Sequence, residues 1–310
     1  MIAKRFLPLI AAGLAVQAIS PAAATSLPTF AGVTPSLSAL TVYNWMSSDI
    51  GAAWTAGYKG QGVTITFVDD FKSSSKFSGN FGTGVQTLRH GEWTRLETSL
   101  VAPSATIVSQ DFNSGTAIKL VRGLNVVNLS YAMYATSGYT ANQIGWSAQE
   151  RSIISAAGGS AVISKAAGND AVAVGAANSS NKVDYLNLAL VGKSSTLFVG
   201  ALSSNGTTAQ KASMASYSNT AGSNVLVQNN FLVVGVAGDK TGLYGTSFAA
   251  PIVSGYAAVL GSKFSTATAT QITNQLLNTA RQDTVKNYSA AVYGRGEASL
   301  SRALAPVSIR

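Results

Sequence analysis

Six short runs of mainly apolar, often β-branched residues recur along the chain, and segments rich in small residues separate them. The runs cover residues 63–69, 105–112, 125–131, 160–169, 195–202 and 231–238. Several of them end at Gly, Asn or Asp. Largely apolar runs of this length are typical of strands that are buried on both faces of a sheet. The pattern therefore predicts a central sheet whose strands are mostly parallel.

The segments between and after these runs supply candidate helices. They are residues 115–123, 143–157, 246–264 and 269–282. Strands that alternate with helices predict a doubly wound α/β fold, with a mostly parallel sheet flanked by helices in a single domain. In such sheets, reactive groups gather at the carboxyl ends of the strands. The residues at which each apolar run ends are therefore the first candidates for function.

The N-terminus has a different pattern. Lys4 and Arg5 precede an uncharged stretch from Phe6 to Ile19, and Ala22–Ala24 follows it. A basic head, an apolar centre and small residues at a cleavage site form a secretory signal peptide. The alternative is an N-terminal core helix. We expect a signal peptide at 1–24, a leader segment at 25–42 and the main domain at 43–310 of an exported protein, either periplasmic or secreted.

Composition narrows the functional classes. Hydrophobic residues make up 46% of the chain and charged residues 11%, which is typical of a globular protein. The chain has no cysteine, which excludes disulfides, thiolate metal sites and a cysteine nucleophile. The net charge is +9, but the basic residues are scattered, which argues against nucleic-acid binding. The most apolar later segment, 248–261, has only 14 residues, so no integral membrane span is expected. We expect a monomer.

Four polar residues have the types that acyl-transfer chemistry requires. They are Asp69, the sole histidine His90, Asn169 and Ser247. A serine becomes nucleophilic when an imidazole takes its proton, and a carboxylate holds that imidazole in one tautomer. An amide donor stabilises the negative oxygen that forms. Taken singly, His90 is read more simply as a core or surface residue, and Ser247 as a helix N-cap. Their occurrence together, in the order Asp, His, Ser, favours a catalytic site.

Five segments resemble the subtilisin-like serine peptidases, or subtilases, over most of the chain after the leader. They are GQGVTITFVD (60–69), His90-Gly91, VVNLSY (126–131), AAGN (166–169) and GTSFAAP (245–251). The tail 293–306 also resembles the closing segment of the family. The resemblance implies a triad of Asp69, His90 and Ser247, with Asn169 in the oxyanion hole. It also implies a substrate pocket with two walls, formed by Ser130, Tyr131 and Ala132 and by Ala166, Ala167 and Gly168.

The chain departs from the family pattern in several places. Glu92-Trp93-Thr94 follows Gly91 where the family has small residues, and Ala132 stands where glycine is common. The segment before the first strand is too short for the usual propeptide. No acidic loop matches the calcium sites of the family, so we expect no cofactor and identify no metal site, although calcium remains a possibility.

The predicted function is therefore hydrolysis of peptide bonds by an exported serine endopeptidase that acts on polypeptides. Two alternatives stay open: a subtilase fold that binds polypeptides without cutting them, and an esterase that uses the same triad.

Asp70 is either a second acceptor near His90 or a solvent-facing neighbour, and we assign the orienting role to Asp69. The walls of the predicted pocket carry no charge, which favours apolar or aromatic side chains at the cleavage position, while Asp170 at the rim favours basic ones.

Overall fold

A computed structural model describes residues 40–309 in full and the backbone of residues 5–8. The predicted signal peptide and leader lie outside the described residues, except for these four positions and residues 40–42. The strands are β1 (Arg5–Pro8), β2 (Thr64–Asp69), β3 (Phe77–Gly79), β4 (Gln86–Leu88), β5 (Thr106–Asp111), β6 (Asn125–Leu129), β7 (Tyr131–Thr136), β8 (Val162–Ala166), β9 (Lys182–Asp184), β10 (Thr196–Leu202) and β11 (Phe231–Gly235). The helices are α1 (Asp49–Thr55), α2 (His90–Val101), α3 (Ala148–Ala156), α4 (Tyr185–Leu190), α5 (Val225–Asn229), α6 (Gly238–Thr241), α7 (Ala249–Lys263), α8 (Ala269–Asn278), α9 (Ala290–Tyr293) and α10 (Leu300–Leu304).

A six-stranded parallel sheet forms the centre, in the order β11-β10-β8-β6-β2-β5. Each of the six apolar runs contains one of its strands, so the predicted mostly parallel α/β sheet is confirmed. Strands β6, β8, β10 and β11 are buried at every residue, because helices cover both faces. Strand order reverses around β2 and β6, which places the carboxyl ends of these strands at the crevice where ligands bind in such sheets.

The central helix α7 packs against β6, β8 and β10 on one side and against α2 on the other. Two glycines allow this close approach. A Cβ at Gly255 would lie 2.5 Å from Val101 of α2, and a Cβ at Gly261 would lie 2.4 Å from Leu124. Pro251 stands at the third position of α7, within the first turn, where a missing N–H costs no helical hydrogen bond.

One helix prediction is wrong. Residues 115–123 form an irregular connection from β5 to β6, with no helix. Gly115 and Gly123 have φ angles of 67° and 97°, which end any helix at both sides of the segment. The side chain of Asn125 bonds both the N–H and the C=O of Val121, and the hydroxyl of Ser152 accepts from the N–H of Ile118. Side chains thus satisfy the backbone that a helix would have paired.

A second, smaller sheet lies beside the main one. Strand β7 pairs antiparallel with β9 on one edge and with β1 on the other. Strands β3 and β4 form a separate hairpin between β2 and α2. Within the described part of the chain, no helix has the length and apolar character needed to cross a bilayer.

Candidate active site

Asp69 and His90 form a buried hydrogen-bonded pair. Asp69 is the last residue of β2, and His90 is the first residue of α2. Nδ1 of His90 lies 2.6 Å from Oδ1 of Asp69, and the hydroxyl of Thr94 donates to Oδ2 at 3.0 Å. A carboxylate accepts, so Nδ1 carries the proton and Nε2 on the far side of the ring is left to act as a base. Among the described residues Nε2 has no hydrogen-bond partner.

The unusual sequence after His90 builds the start of its helix. The carboxylate of Glu92 accepts from the N–H of Arg89 at 2.8 Å and also pairs with its guanidinium, which closes a capping box. Gly91 is required because a Cβ there would lie 2.8 Å from the carbonyl oxygen of Asp70 and from the ring of Phe71. The residues Gly91-Glu92 thus fix the position from which His90 projects.

Trp93 explains how the bulky departure from the family pattern is accommodated. Its ring is fully buried, and its indole N–H donates to the carbonyl of Phe77 in the β3–β4 hairpin at 3.0 Å. Phe77 lies between Trp93 and His90, with ring centroids 6.5 and 6.2 Å away. The rings of Trp93 and Phe77 therefore fill the space beside the imidazole of His90.

The carboxylate that bonds His90 belongs to Asp69, and the carboxylate of Asp70 bonds other groups. Asp70 is buried, so the solvent-facing alternative is wrong. Its carboxylate accepts from the backbone N–H groups of Lys72 and Ser73 and from the Ser73 hydroxyl. Asp70 therefore holds the turn after β2, while its neighbour faces the imidazole.

Ser247 lies in a single 3₁₀ turn, Thr246–Phe248, that leads into α7. The preceding Gly245 has a φ of 128°, a backbone conformation that favours glycine. The hydroxyl of Ser130, which directly follows β6, donates to the carbonyl of Ser247 at 2.9 Å. The imidazole of His90 lies 5.8 Å, between ring centroids, from Phe248, the residue that follows Ser247. The predicted nucleophile and the predicted base thus lie on adjoining segments.

Asn169 lies next to the same turn, after the end of β8. Its Oδ1 accepts from the backbone N–H of Thr246 at 2.8 Å and from the Thr246 hydroxyl at 2.9 Å. A backbone N–H only donates, so this atom must be the amide oxygen. The amide Nδ2 is therefore directed away from Thr246.

Two asparagines that the sequence did not single out support the wall 166–168. The amide groups of Asn187 and Asn219 both donate to the carbonyl of Ala167 at 3.0 Å. Gly168 has a φ of 121°, and a Cβ there would lie 2.2 Å from Nδ2 of Asn219. Asn187 and Asn219 stand 20 and 52 positions from Ala167 in the chain, so no local motif links them to it. Their residue type is the only sign in the sequence that they could make such bonds.

The opposite wall is built mainly from backbone. The side chain of Tyr131 is fully buried in the core, and its hydroxyl has no hydrogen-bond partner among the described residues. Ala132 is buried on the other face of β7. Asp170 is already engaged, since its two carboxylate oxygens accept from the Tyr134 hydroxyl and from the amide of Asn178. These bonds weaken the expectation that Asp170 attracts a basic substrate residue.

A buried ion pair joins the two walls. Nζ of Lys165, the residue before Ala166, lies 2.9 Å from Oδ2 of Asp184. The other oxygen of Asp184 accepts from the N–H of Met133 in β7 at 2.9 Å. Burial lowers the pKa of Lys165, and the neighbouring carboxylate opposes that effect. The pair therefore links β8 to β9, and the bond from Met133 extends this link to β7.

No group of three or more His, Cys, Asp or Glu side chains within the described residues has a geometry suited to a metal ion.

Glu97, two turns after His90 on α2, is an unexpected buried acid. It is 2% exposed, and Oε2 has no hydrogen-bond partner within the described part of the chain. Burial raises the pKa of Glu97 well above its ordinary value of 4.5, because the charged form would lose its hydration. The folded protein therefore keeps a proton on Glu97 that the unfolded chain releases.

This acid predicts a pH-dependent stability. Above pH 4.5 the unfolded chain binds fewer protons at this site than the folded chain, so the free energy of unfolding falls as the pH rises. The slope approaches about 1.4 kcal/mol per pH unit for one proton. Urea unfolding at pH 5, 6, 7 and 8 should show this decline in the wild type and a flatter profile in Glu97→Gln. Equal slopes in the two chains would contradict a neutral Glu97.

Comparisons with known proteins identify the family of the chain and relatives of its fold. The sequence model of the subtilase family matches residues 97–296. Among solved structures, the chain is similar to MycP1 from the ESX-1 type VII secretion system, with 20% identity over 82% of this chain and 83% of that one and a TM-score of 0.51. It is also similar to the prenylagaramide maturation protease PagA, with 18% identity over 83% and 98% and a TM-score of 0.54. A lanthipeptide protease gives 18% identity over 84% and 93%, and the same TM-score of 0.54.

A search of curated protein sequences finds no significant match. At these identities the structural likeness concerns the fold, and the sequence model carries the assignment, since it matches about two thirds of the chain. Matched sequence and matched fold agree on one conclusion. The chain belongs to the subtilase family of serine peptidases.

Proposed function

We propose that the protein is an exported serine endopeptidase that cuts polypeptides through Asp69, His90 and Ser247. The observation that carries the proposal is the 2.6 Å contact between Nδ1 of His90 and Oδ1 of Asp69. This contact fixes the tautomer in which Nε2 is the base. The Thr94 hydroxyl holds the second carboxylate oxygen, so that Asp69 cannot rotate away from the ring.

In the proposed mechanism, Nε2 of His90 takes the proton of the Ser247 hydroxyl while Oγ attacks a peptide carbonyl carbon. The negative charge that develops on the carbonyl oxygen is stabilised by Nδ2 of Asn169 and by the backbone N–H of Ser247. The protonated imidazole then gives its proton to the leaving amine. A water molecule, activated by the same nitrogen, hydrolyses the acyl-enzyme and restores Ser247.

The proposed substrate pocket lies between the walls 130–132 and 166–168. Its lining side chains are neutral, and the charges of the neighbouring Lys165–Asp184 pair are mutually compensated. An uncompensated buried charge would favour an oppositely charged substrate group, but a paired one does not. The neutral lining favours an apolar or aromatic side chain on the acyl side of the cleaved bond.

The experiment that tests the function is digestion of an unfolded protein and of internally quenched peptides by the chain that begins at Thr25. Cleavage inside the peptides, with the bonds identified by mass spectrometry, supports an endopeptidase. Turnover of short esters without cleavage of any peptide would favour the esterase. Saturable peptide binding without turnover of either would favour the binding protein.

Asn169→Ala is expected to lower the turnover number for peptides by roughly 10²–10³, the range for loss of one oxyanion donor. The Michaelis constant should change little, because Asn169 acts on the charged oxygen and not on the ground state. Steady-state kinetics with one quenched peptide measures both constants. Thr246→Val keeps Asn169 but removes one of the two donors that orient it, so a smaller loss is expected. Unchanged turnover in Asn169→Ala would exclude this residue from the mechanism.

A further inference from the structure

Two adjoining cavities lie at the amino ends of the central strands. The first has a volume of about 500 Å³ and lies between α5, α8 and the residues that precede β10 and β11. The second has a volume of about 480 Å³ and lies between α3 and α4. Lys193 lines both cavities, so together they form one groove. Each cavity is within the range of ~300–1,000 Å³ that ligand sites occupy.

This groove is remote from the proposed active site. Lys193 and Asn230 precede β10 and β11, whereas Asp69 ends β2 and Asn169 follows β8. The six strands of the central sheet run parallel. Their amino ends therefore share one edge of the sheet and their carboxyl ends the opposite edge. A ligand in the groove leaves the triad free.

The groove is positively charged. Of the described residues that line it, three are cationic and none is acidic; the cations are Arg151, Lys193 and Arg295. None of the three forms an ion pair with another described residue. The guanidinium of Arg295 donates to Oδ1 of Asn278 at 3.0 Å, which holds it against α8. A cleft lined by one sign of charge concentrates ligands of the opposite sign, so the groove favours an anion. We call it the basic groove.

The neutral side chains of the basic groove indicate the class of anion. Asn274 and Asn278 of α8 line the first cavity, together with the hydroxyls of Ser194 and Thr270. Amide and hydroxyl groups both donate and accept hydrogen bonds. The hydroxyl groups of a sugar also do both, whereas the acidic side chains of a peptide only accept. The lining therefore suits an acidic saccharide better than an acidic peptide.

Trp146 offers a surface for a sugar ring in the second cavity. It is half-buried, whereas the other three tryptophans are at most 6% exposed; they are Trp45, Trp54 and Trp93. The indole N–H of Trp146 donates to the carbonyl of Ala141 at 3.0 Å, and its own carbonyl accepts from the guanidinium of Arg151. These bonds hold an apolar ring face and a cation at the same wall.

We propose that the basic groove binds an acidic polysaccharide. Its carboxylates pair with Arg151, Lys193 and Arg295, its hydroxyl groups bond the amides of α8, and one sugar ring stacks on Trp146. Such binding fixes the protein to an anionic polymer while the active site stays free. The inference goes beyond the proposed peptidase and does not depend on it, because the groove shares no residue with the triad.

The test measures the binding of hexagalacturonate, a short chain of uronic acids, to the full chain carrying Ser247→Ala, which prevents self-cleavage. Isothermal titration calorimetry gives the dissociation constant. Adding Lys193→Gln is expected to weaken binding roughly tenfold, because one charge-assisted contact is lost. The matched control is Lys211→Gln, which removes the same charge from an exposed residue outside the groove and should leave the constant unchanged.

Tryptophan fluorescence gives a second readout. Acrylamide should quench Trp146 more than the three buried tryptophans, and hexagalacturonate should protect Trp146 from it. Maltohexaose is a neutral sugar chain of the same length. It should need at least roughly tenfold higher concentrations for the same protection, because it lacks the carboxylates.

Selective weakening by Lys193→Gln, together with protection of Trp146, supports the proposal. Equal weakening by Lys193→Gln and Lys211→Gln overturns it, since net charge alone would then attract the ligand. Binding of hexaglutamate or of a single-stranded DNA hexamer as tightly as hexagalacturonate overturns the saccharide class. An absence of heat and of protection at millimolar hexagalacturonate overturns the site. Peptide cleavage is measured separately with Ser247 intact, so failure of either proposal leaves the other standing.

Discussion

Ser247→Ala, in the chain that begins at Thr25, is expected to lower the turnover number for peptides by a factor of about 10⁶. In the proposed mechanism the hydroxyl oxygen forms the acyl-enzyme, and an alanine side chain has no atom that could form that bond. Covalent labelling by a fluorophosphonate should be lost completely. The fold should persist, because Ser130 bonds the carbonyl of residue 247 and not its side chain. Intact mass after labelling, together with quenched-peptide kinetics, measures both effects.

The matched control is Ser262→Ala at the other end of α7. Its hydroxyl donates to the carbonyl of Val259 within the helix, so turnover and labelling should equal those of the wild type. Labelling that persists in Ser247→Ala would mean that another residue is the nucleophile. Peptide cleavage that persists without labelling would place the reaction outside acyl transfer to serine.

The central sheet could be predicted from the sequence because four of its strands, β6, β8, β10 and β11, are buried at every residue and therefore have largely apolar sequences. Each of the six predicted runs contains one strand of the observed sheet. Residues 115–123 misled the prediction because GTAIKLVRG has helix-like spacing of apolar residues. In the structure the side chain of Asn125 and the hydroxyl of Ser152 bond that backbone instead. Whether this segment forms a helix or a loop therefore depends on tertiary contacts, which the local spacing of apolar residues does not indicate.

The sequence indicates the proposed active-site residues more clearly than the residues that contact them. Asp69, His90, Asn169 and Ser247 lie in short motifs, so their types and order in the chain were enough to propose them. Their supports are Thr94, Thr246, Asn187 and Asn219. Thr246 stands 77 positions from its partner, and Thr94 stands 25 from its own. A threonine or asparagine is common in any loop or helix, so only the fold reveals which ones meet a reactive group.

The buried Glu97 and the ion pair of Lys165 with Asp184 were missed for a related reason. Charged residues are expected at the surface unless a partner is known. Lys165 is the one charged residue within the run 160–169, which is otherwise uncharged. Its position in this run indicates that the charge is buried and needs a partner inside the protein. Its partner lies 19 residues away, in a strand of three residues that has no apolar pattern of its own.

Asp69→Ala is expected to lower the turnover number by about 10⁴, because the imidazole loses both its orientation and the charge that stabilises its protonated form. Asp69→Asn should retain more activity here. The N–H of Asp70 donates to Oδ1 at 2.7 Å, the same oxygen that contacts Nδ1. A backbone N–H requires an oxygen at that position, so the asparagine amide group turns towards Thr94 and the tautomer of His90 is kept.

The loss in Asp69→Asn then reflects the missing charge alone and is expected to be roughly 10²-fold, as for a hydrogen bond that is no longer charge-assisted. Quenched-peptide kinetics of the two variants measures the difference. The control is Asp70→Asn, which should lower stability by weakening the turn at Ser73 and leave turnover close to that of the wild type. Equal losses in Asp69→Asn and Asp69→Ala would show that the amide has turned the other way and reversed the tautomer. A large loss in Asp70→Asn at full folding would move the orienting role to that residue.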